Sequence, residues 1–201
     1  DQVAKLTASD AAEGDEFGCT VSIDGDTIVI GAYQAGTGGA IYLFLTTDGG
    51  ATYDQVAKLT AAEDNFGYSV AIDGDTVVAG SLGAGTGGAV YVFRTTDGGA
   101  TYAQVAKLTA DDAEANDYFG RSVATDGQKV VVGAYQDDDA GSASGSVYVF
   151  RTTNGGVTYG QVAKLTASDA YSDDNFGISV AINGGIVVIG AYAPILYGGS
   201  G

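Results

Sequence analysis

The fold is decided by residues 66–80, FGYSVAIDGDTVVAG. Small and branched residues alternate from Ser69 to Ile72, which predicts a strand with two different faces. Asp73-Gly74 follows, a pair that readily adopts the positive φ angles of a two-residue hairpin turn. Thr76 to Ala79 is β-branched and largely apolar, as expected of a strand that is buried on both faces. The stretch therefore predicts an antiparallel β-hairpin.

This hairpin belongs to a unit that occurs four times. Its Phe-Gly pair recurs at Phe17, Phe66, Phe119 and Phe176. The string Gln-Val-Ala-Lys-Leu-Thr-Ala begins at Gln2, Gln55, Gln104 and Gln161. We divide the chain into repeats at about 1–53, 54–102, 103–159 and 160–201, which form a single repeat domain over residues 1–201. Repetition at this length is typical of propellers and solenoids.

Two further strands complete each unit. In the second copy, Val90 to Phe93 places valines on one face and aromatic rings on the other, and Val105 to Leu108 follows the Gly98-Gly99 turn. No segment has the period of an amphipathic helix. Four antiparallel strands repeated in tandem predict an all-β fold, a β-propeller whose blades bury both faces against their neighbours. A β-solenoid is the alternative.

The phase of the repeats predicts three full blades flanked by partial ones. The chain starts with the string that forms the fourth strand elsewhere, and it ends where the fourth copy would begin its third strand. The N-terminal string is therefore expected to form a strand of a preceding blade or to complete the last one. We favour a segment of a larger propeller over a closed four-bladed ring, because four blades is the low end for propellers.

Composition excludes several classes of function. The chain has 25 acidic and 8 basic residues and a net charge of −17, so we expect no binding to nucleic acid. It contains no histidine and a single cysteine, Cys19. This composition argues against imidazole chemistry and zinc sites, and predicts that the protein is not an enzyme. No apolar run is long enough for membrane insertion.

The repeated unit resembles the FG-GAP repeat, the blade of integrin α-subunit propellers. The similarity rests on Phe66-Gly67, on the hairpin at Asp73-Gly74 and on Val77 to Gly80, and the other copies carry equivalent residues. Membership implies an extracellular or cell-surface propeller for adhesion or ligand binding. The family's calcium loop does not carry over. The connection shrinks here to Asp24-Gly25-Asp26 and its equivalents, whereas calcium takes about six to eight oxygens.

A second resemblance lies in the turn between strands three and four. Residues 46–53 are similar to the Asp-box of sialidase and sortilin-type propellers, through Thr46, Asp48, Gly50 and Thr52. The turn recurs at residues 95–102 and at 152–159, where Asn154 replaces the aspartate. The resemblance implies a folding element in which the carboxylate accepts backbone N–H groups of the turn.

Antiparallel topology places the loop before each Phe-Gly pair and the loop after strand two on one rim, which we call the variable rim. The loops before Phe-Gly differ in length between copies and carry most of the acidic residues. Binding sites concentrate in variable loops of this kind. We predict a partner-binding rim formed by these acids and by tyrosines that follow strand two: Asp15, Glu16, Asp64, Asp117, Asp173, Asp174, Tyr33, Tyr135 and Tyr192.

The run Asp137-Asp138-Asp139 is the candidate metal site. Three successive carboxylates repel one another without a cation, and calcium prefers oxygen ligands. Calcium is therefore the one cofactor that the sequence indicates. The alternative is a solvated acidic surface that keeps the protein soluble.

Other recurring residues have structural interpretations. The Tyr-x-Phe pairs of the third strands are interpreted as core between blades. The lysine in the middle of each fourth strand, such as Lys58 or Lys164, is interpreted as a charge that protects a sheet edge. Cys19 stands where the other copies have Tyr68, Arg121 and Ile178, and we interpret it as an incidental small residue.

Together these features predict a non-catalytic extracellular or cell-surface module for adhesion, protein–protein interaction or structural assembly, assisted by calcium. The expected partner is a protein or a glycan at the cell surface or in the matrix, and self-association is a further expectation. The alternative is a carbohydrate-binding or glycan-acting propeller, since paired carboxylates hydrolyse glycosides without histidine.

Overall fold

The computed structural model describes residues 2–192 as an all-β chain. The first sheet comprises β1 (Thr20–Asp24), β2 (Thr27–Ala32), β3 (Ala40–Leu45) and β4 (Asp54–Leu59). The second comprises β5 (Phe66–Asp73), β6 (Thr76–Ser81), β7 (Ala89–Arg94) and β8 (Ala103–Leu108). The third comprises β9 (Phe119–Thr125), β10 (Lys129–Ala134), β11 (Ser146–Arg151) and β12 (Gly160–Leu165), and the last β13 (Ser179–Asn183) and β14 (Ile186–Gly190). The described residues hold no helix of the length and apolarity needed to cross a membrane.

Within each sheet, every strand pairs antiparallel with the next one along the chain. The predicted hairpin is confirmed, since Asp73 pairs with Thr76 across the turn. Three full blades and a partial C-terminal one are confirmed as well. Residue 1 and residues 193–201 of the predicted domain lie outside the described residues.

The sheets follow one another as an open series of blades. β1 contacts β5, β5 contacts β9, and β9 contacts β13, so the first strands lie side by side next to the propeller axis. Between residues 2 and 192 the sheets do not close into a ring. Over the described residues the chain thus forms an open propeller segment, as favoured.

The N-terminal string does not form the predicted strand. Residues 2–19 carry no β-strand, although the same string forms most of β4, β8 and β12. Its apolar residues Leu6 and Ala8 instead pack with Tyr42 and Phe44 of the first blade. The prediction of a strand here is wrong, because these residues cover an aromatic face of the first blade rather than extend a ladder.

The second and third blades each pack an aromatic face against an aliphatic face of the blade before it. Phe66 forms edge-to-face pairs with Tyr91 and Phe93, at ring-centroid distances of 5.5 and 5.9 Å. The aliphatic side chains in the same cluster from the first blade include Val29, Ile41 and Leu43. The equivalent aromatic trio between the second and third blades is Phe119, Tyr148 and Phe150. Since burying a side chain of this size contributes about 2–3 kcal/mol, the Tyr-x-Phe pairs are core residues, as predicted.

Glycine lets adjacent blades approach through their backbones. Gly80 in β6 lies so close to the carbonyl oxygen of Gly120 in β9 that a Cβ atom would overlap that oxygen. Ser69 Oγ donates a hydrogen bond of 2.7 Å to the same carbonyl. The same approach joins the other blade pairs, Gly31 with Gly67 and Gly133 with Gly177. The glycine of each of these Phe-Gly pairs is therefore a contact between blades.

The turns between strands three and four form the hydrogen bonds expected of folding elements. Asp48 accepts bonds from the backbone N–H of Thr52 at 2.9 Å, from the Thr52 hydroxyl at 2.7 Å and from the Thr46 hydroxyl at 2.8 Å. These bonds lower the pKa of Asp48 to about 2. The equivalent bonds, chiefly from Thr101, lower the pKa of Asp97 to about 2.

The two aspartate turns predict a specific loss of stability in acid. Both folded pKa values, about 2, lie below the ordinary value of 3.8, so the ionised carboxylates stabilise the native state above about pH 4 and lose this effect as the pH falls towards about 2. We expect the double variant Asp48→Asn with Asp97→Asn, which imitates the natural Asn154 turn, to show a smaller fall in Tm over this range than the parent chain. Thermal unfolding followed by circular dichroism at several pH values measures this difference.

The control for that prediction removes the same charge elsewhere. Asp111 and Asp169 are exposed, and their carboxylates accept no hydrogen bond from the part of the chain that the structure describes. A double Asp→Asn variant at these positions should keep the acid dependence of the parent. If both double variants flatten it equally, the effect belongs to net charge and the turn explanation is wrong.

Candidate binding site

The residues at one variable position of the repeat lie together at the propeller axis. The residue after each Phe-Gly pair is Cys19, Tyr68, Arg121 or Ile178. Because the first strands lie side by side, these four residues line one cavity of about 390 Å³, which we call the axial cavity. The rest of its wall consists of Tyr33 and of serine, threonine and valine side chains of the same strands.

Beside this cavity Arg121 packs against two tyrosines, and each of these packs against a further tyrosine. The guanidinium carbon of Arg121 lies 5.0 Å from the ring centroid of Tyr68 and 5.9 Å from that of Tyr135. Tyr33 packs edge-on against Tyr68 at a centroid distance of 5.2 Å, and Tyr118 stacks on Tyr135 at 5.7 Å. We call these five residues the tyrosine–arginine cluster. Cation–π contacts of this kind contribute about 0.5–2 kcal/mol each, so the cluster holds the guanidinium in place.

Tyr118 joins the cluster from a left-handed backbone conformation. Its φ is 54°, and the equivalent residues Glu16, Asn65 and Asn175 have φ values of 57°, 60° and 51°. This conformation costs about 1–2 kcal/mol for a residue with a Cβ atom and is visited most readily by glycine, asparagine and aspartate. A bulky ring at a position that suits asparagine is the kind of strain that marks functional sites.

Two grooves adjoin the axial cavity on the variable rim. Asn65, Tyr68 and Tyr118 line a groove of about 490 Å³, and Tyr33, Asp64 and Asn65 line one of about 330 Å³. Tyr68 and Tyr33 also line the axial cavity. The three concavities therefore adjoin one another through shared residues.

Three of the predicted rim residues lie in the cluster or in a groove, and one lies outside both. Tyr33 and Tyr135 belong to the tyrosine–arginine cluster. Asp64 lines the smaller groove. Tyr192 is 69% exposed and lines none of these concavities.

The other predicted rim acids have contacts of their own. The carboxylates of Asp15, Asp117 and Asp174 each accept a hydrogen bond from the backbone N–H three residues earlier, at 2.8, 2.7 and 2.6 Å. Asp117 is also buried, and burial raises the pKa of its carboxyl. These hydrogen bonds close the loops, which is a sufficient structural role for the three aspartates. Glu16 and Asp173 are exposed. Partner binding by these five acids stays a prediction.

The candidate metal site has a lysine at its centre. Asp137 and Asp139 lie with Asp112 in one carboxylate group, of which Asp138 is not a member. Lys164 Nζ lies 2.7 Å from Asp112 and 3.0 Å from Asp137, and it also contacts Asp139. Burial opposes the charge of Lys164, but its hydrogen bonds to these carboxylates prevail and raise the pKa of the amine. The ammonium of Lys164 therefore supplies positive charge to all three carboxylates. Calcium binding at Asp137, Asp138 and Asp139, or elsewhere on the rim, stays a prediction.

In every full blade, the lysine of the fourth strand forms an ion pair with a rim carboxylate. Lys58 Nζ lies 2.6 Å from Asp10, and Lys107 Nζ lies 2.6 Å from Glu63. Each ammonium also lies over the tyrosine of the Tyr-x-Phe pair, with centroid distances between 5.2 and 5.5 Å. The lysines therefore form ion pairs across the rim loops, which is more than the predicted protection of an edge.

Tyr68, Tyr118 and Arg121 escaped the sequence prediction of the rim. One signal pointed to two of them: the position after Phe-Gly differs in all four copies, while its neighbours are nearly constant. Cys19 occupies this position in the first copy and lines the axial cavity. Variation inside a uniform motif, on strands that meet at one axis, identifies a candidate site.

Comparison with known proteins agrees with this architecture. The sequence matches the model of the FG-GAP repeat over residues 1–44, 53–93, 102–150 and 159–199. No curated protein matches it significantly. Among solved structures, Saccharomyces cerevisiae Sqt1 is similar with a TM-score of 0.52 at 11% identity, over 79% of this chain and 38% of that one. A candidate 6-phosphogluconolactonase from Bacteroides uniformis has a TM-score of 0.54 at 13% identity, over 81% and 46%. The chain spans less than half of either structure, and the likeness concerns the fold alone.

Proposed function

The chain belongs to the FG-GAP repeat family, and on that premise we propose that it is a non-catalytic binding module of an extracellular or cell-surface protein. Its variable rim holds a partner protein, for adhesion or for assembly. The family and the propeller fold support a protein-interaction or carbohydrate-related module in general, and the rim supports the narrower role.

The observation that carries the proposal is the contrast between the two rims. On one rim the turns are nearly identical, and their polar side chains form hydrogen bonds within the turn itself, as Asp48 does with Thr52. On the variable rim, the copies differ, and their differing residues line three adjoining concavities. Rigid strands that present variable loops are a common basis for recognition. Tyrosine and arginine are also enriched among the residues that dominate protein interfaces.

The chemistry of the cavity supports binding rather than catalysis. None of the described residues that line the axial cavity is a carboxylate. The carboxylates of Asp112, Asp137 and Asp139, which lie close together, share the ammonium of Lys164. Neither place pairs a free acid with a free base.

Carbohydrate binding is the second candidate, and the smaller groove favours it. This groove combines the ring of Tyr33 with a carboxylate at Asp64 and amides at Gln34 and Asn65. An aromatic ring beside acid and amide groups suits a sugar, which stacks one face and hydrogen-bonds through its hydroxyls.

Binding to two arrays tests the proposal. The labelled chain is applied to purified secreted and cell-surface proteins and to a glycan array, with calcium and with chelator. We expect saturable binding to a protein, weakened at least tenfold by Tyr33→Ser with Tyr68→Ser. The control Asp26→Ser with Gln128→Ser changes exposed residues of the opposite rim and should bind as the parent does.

Three results would overturn the proposal or its parts. Binding to glycans alone replaces it by the second candidate, and cleavage of any arrayed glycan ends the non-catalytic role. Loss of binding in the control variant removes the variable rim as the site. Light scattering in calcium and in chelator tests self-association, which a monomer under both conditions contradicts.

A further inference from the structure

Arg121 places a cationic centre in an acidic chain, and from it we infer the chemistry of the partner. We propose that the axial cavity binds one carboxylate side chain, an aspartate or a glutamate, which a partner protein presents on an otherwise basic surface. The inference rests on the proposed function and deepens it.

The guanidinium of Arg121 is held in place without being neutralised. It lies against the rings of Tyr68 and Tyr135. Within residues 2–192 it forms no ion pair and its guanidinium donates no hydrogen bond, whereas the lysines of the three full blades each meet a carboxylate. Stacking occupies the flat face of a guanidinium and leaves its in-plane N–H groups free. Those groups match the two oxygens of a carboxylate.

The wall of the axial cavity suits a single anionic group. Arg121 is the charged member of the wall, and no described carboxylate or side-chain amide lines it. The hydroxyls of Ser69 and Ser122 donate to the carbonyls of Gly120 and Gly177 at 2.7 and 2.8 Å. These two hydroxyls are therefore committed to contacts between blades. Arg121 is the cationic donor of the described wall, in a space of about 390 Å³ that readily admits an acidic side chain.

The surroundings of this centre are acidic. Asp64 lines the adjoining groove, and Glu16 lies near enough to act on the Cys19 thiol at the cavity wall. The whole chain carries a net charge of −17. An acidic partner surface would be repelled, and a purely basic one would leave Arg121 unpaired and desolvated. A basic protein surface with one carboxylate is complementary both to the acidic surroundings and to the guanidinium of Arg121. The tyrosine–arginine lining favours a protein over a saccharide.

A pair of synthetic peptides tests this inference. The first is acetyl-Lys-Ser-Lys-Ala-Asp-Ala-Lys-Ser-Lys-amide, and the second has asparagine in place of the aspartate. We expect calorimetry to show the aspartate peptide binding about tenfold more tightly, a difference typical of a charge-assisted hydrogen-bonded contact. In Arg121→Gln this preference should vanish, and in Arg121→Lys part of it should remain. Arg151→Gln removes the same charge at the end of β11, far from the axial cavity, and should keep the full preference.

Three results would overturn the carboxylate inference. Equal affinity of the parent chain for the two peptides overturns the inference. So does binding of free glucuronate that depends on Arg121 without any preference between peptides, because the carboxylate would then come from an acidic saccharide. A cooperative thermal unfolding transition of Arg121→Gln, with the circular dichroism spectrum of the parent chain, shows that the variant is folded. If the parent binds arrayed proteins and Arg121→Gln binds them equally well, this inference fails while the proposed function stands.

Discussion

We expect Lys164→Met to lower the free energy of unfolding by about 3 kcal/mol, the effect of leaving a buried carboxylate without its cation. The side chain of Lys164 is 18% exposed and that of Asp137 only 5%. Asp137 also accepts hydrogen bonds from Ser146 at 2.9 Å and from Tyr148 at 2.7 Å. These partners hold the carboxylate in place, so it cannot turn to water when the ammonium is removed. Urea unfolding followed by circular dichroism measures the change.

The repeat supplies matched controls for this prediction. Lys58 and Lys107 occupy the same position in the other full blades, but their side chains are 33% and 37% exposed and each meets one carboxylate. Ion pairs this exposed contribute at most about 1 kcal/mol, so Lys58→Met and Lys107→Met should each change stability by less than that. Equal losses at all three positions would show that the burial of Asp137 is irrelevant.

Gly80→Ala should destabilise the chain by about 3 kcal/mol or more, at or above the upper end for overpacked sites. The new Cβ atom would overlap the backbone carbonyl of Gly120 and the hydroxyl of Ser69. Backbone atoms of two sheets cannot yield as a flexible side chain does, so the blades must separate. Urea unfolding gives the loss of free energy, and increased hydrogen exchange along β6 and β9 locates it.

Gly160→Ala is the control for this second prediction. Gly160 begins β12, has no atom within 4 Å of an added Cβ, and corresponds to Ala103 and Asp54 in the other full blades. Alanine there should be neutral or should stabilise the chain by up to about 1 kcal/mol, since it restricts the unfolded state. A loss at Gly160 as large as that at Gly80 would contradict the role of the close approach.

The strands and turns were predictable because their causes are local. The hairpin at Asp73-Gly74 follows from residues that permit its backbone angles, and the Asp48 turn from side chains that bind their own turn. The aromatic cores followed from alternation along one strand. The N-terminal string was mispredicted because a strand depends on a partner ladder, which no local pattern encodes.

The site was only partly predictable because its residues meet through tertiary structure. Tyr68 and Arg121 belong to different blades and meet where β5 and β9 run side by side. The same limit applied to Lys164, whose three carboxylates come from two other loops. Tyr33 and Tyr135 were found because their position on the variable rim follows from strand order. Strand order does not predict that an arginine would lie beside them.

The packing of adjacent blades through bare backbone has a consequence for how such a chain changes over generations. The Gly-to-carbonyl approach and the aromatic cores use positions on either side of the residue that follows Phe-Gly, and that residue itself is cysteine, tyrosine, arginine or isoleucine. Four such different side chains are accepted on a nearly constant framework. A single codon per repeat therefore changes the lining of the axial cavity while the scaffold stays intact, so the chemistry at the axis can change one substitution at a time.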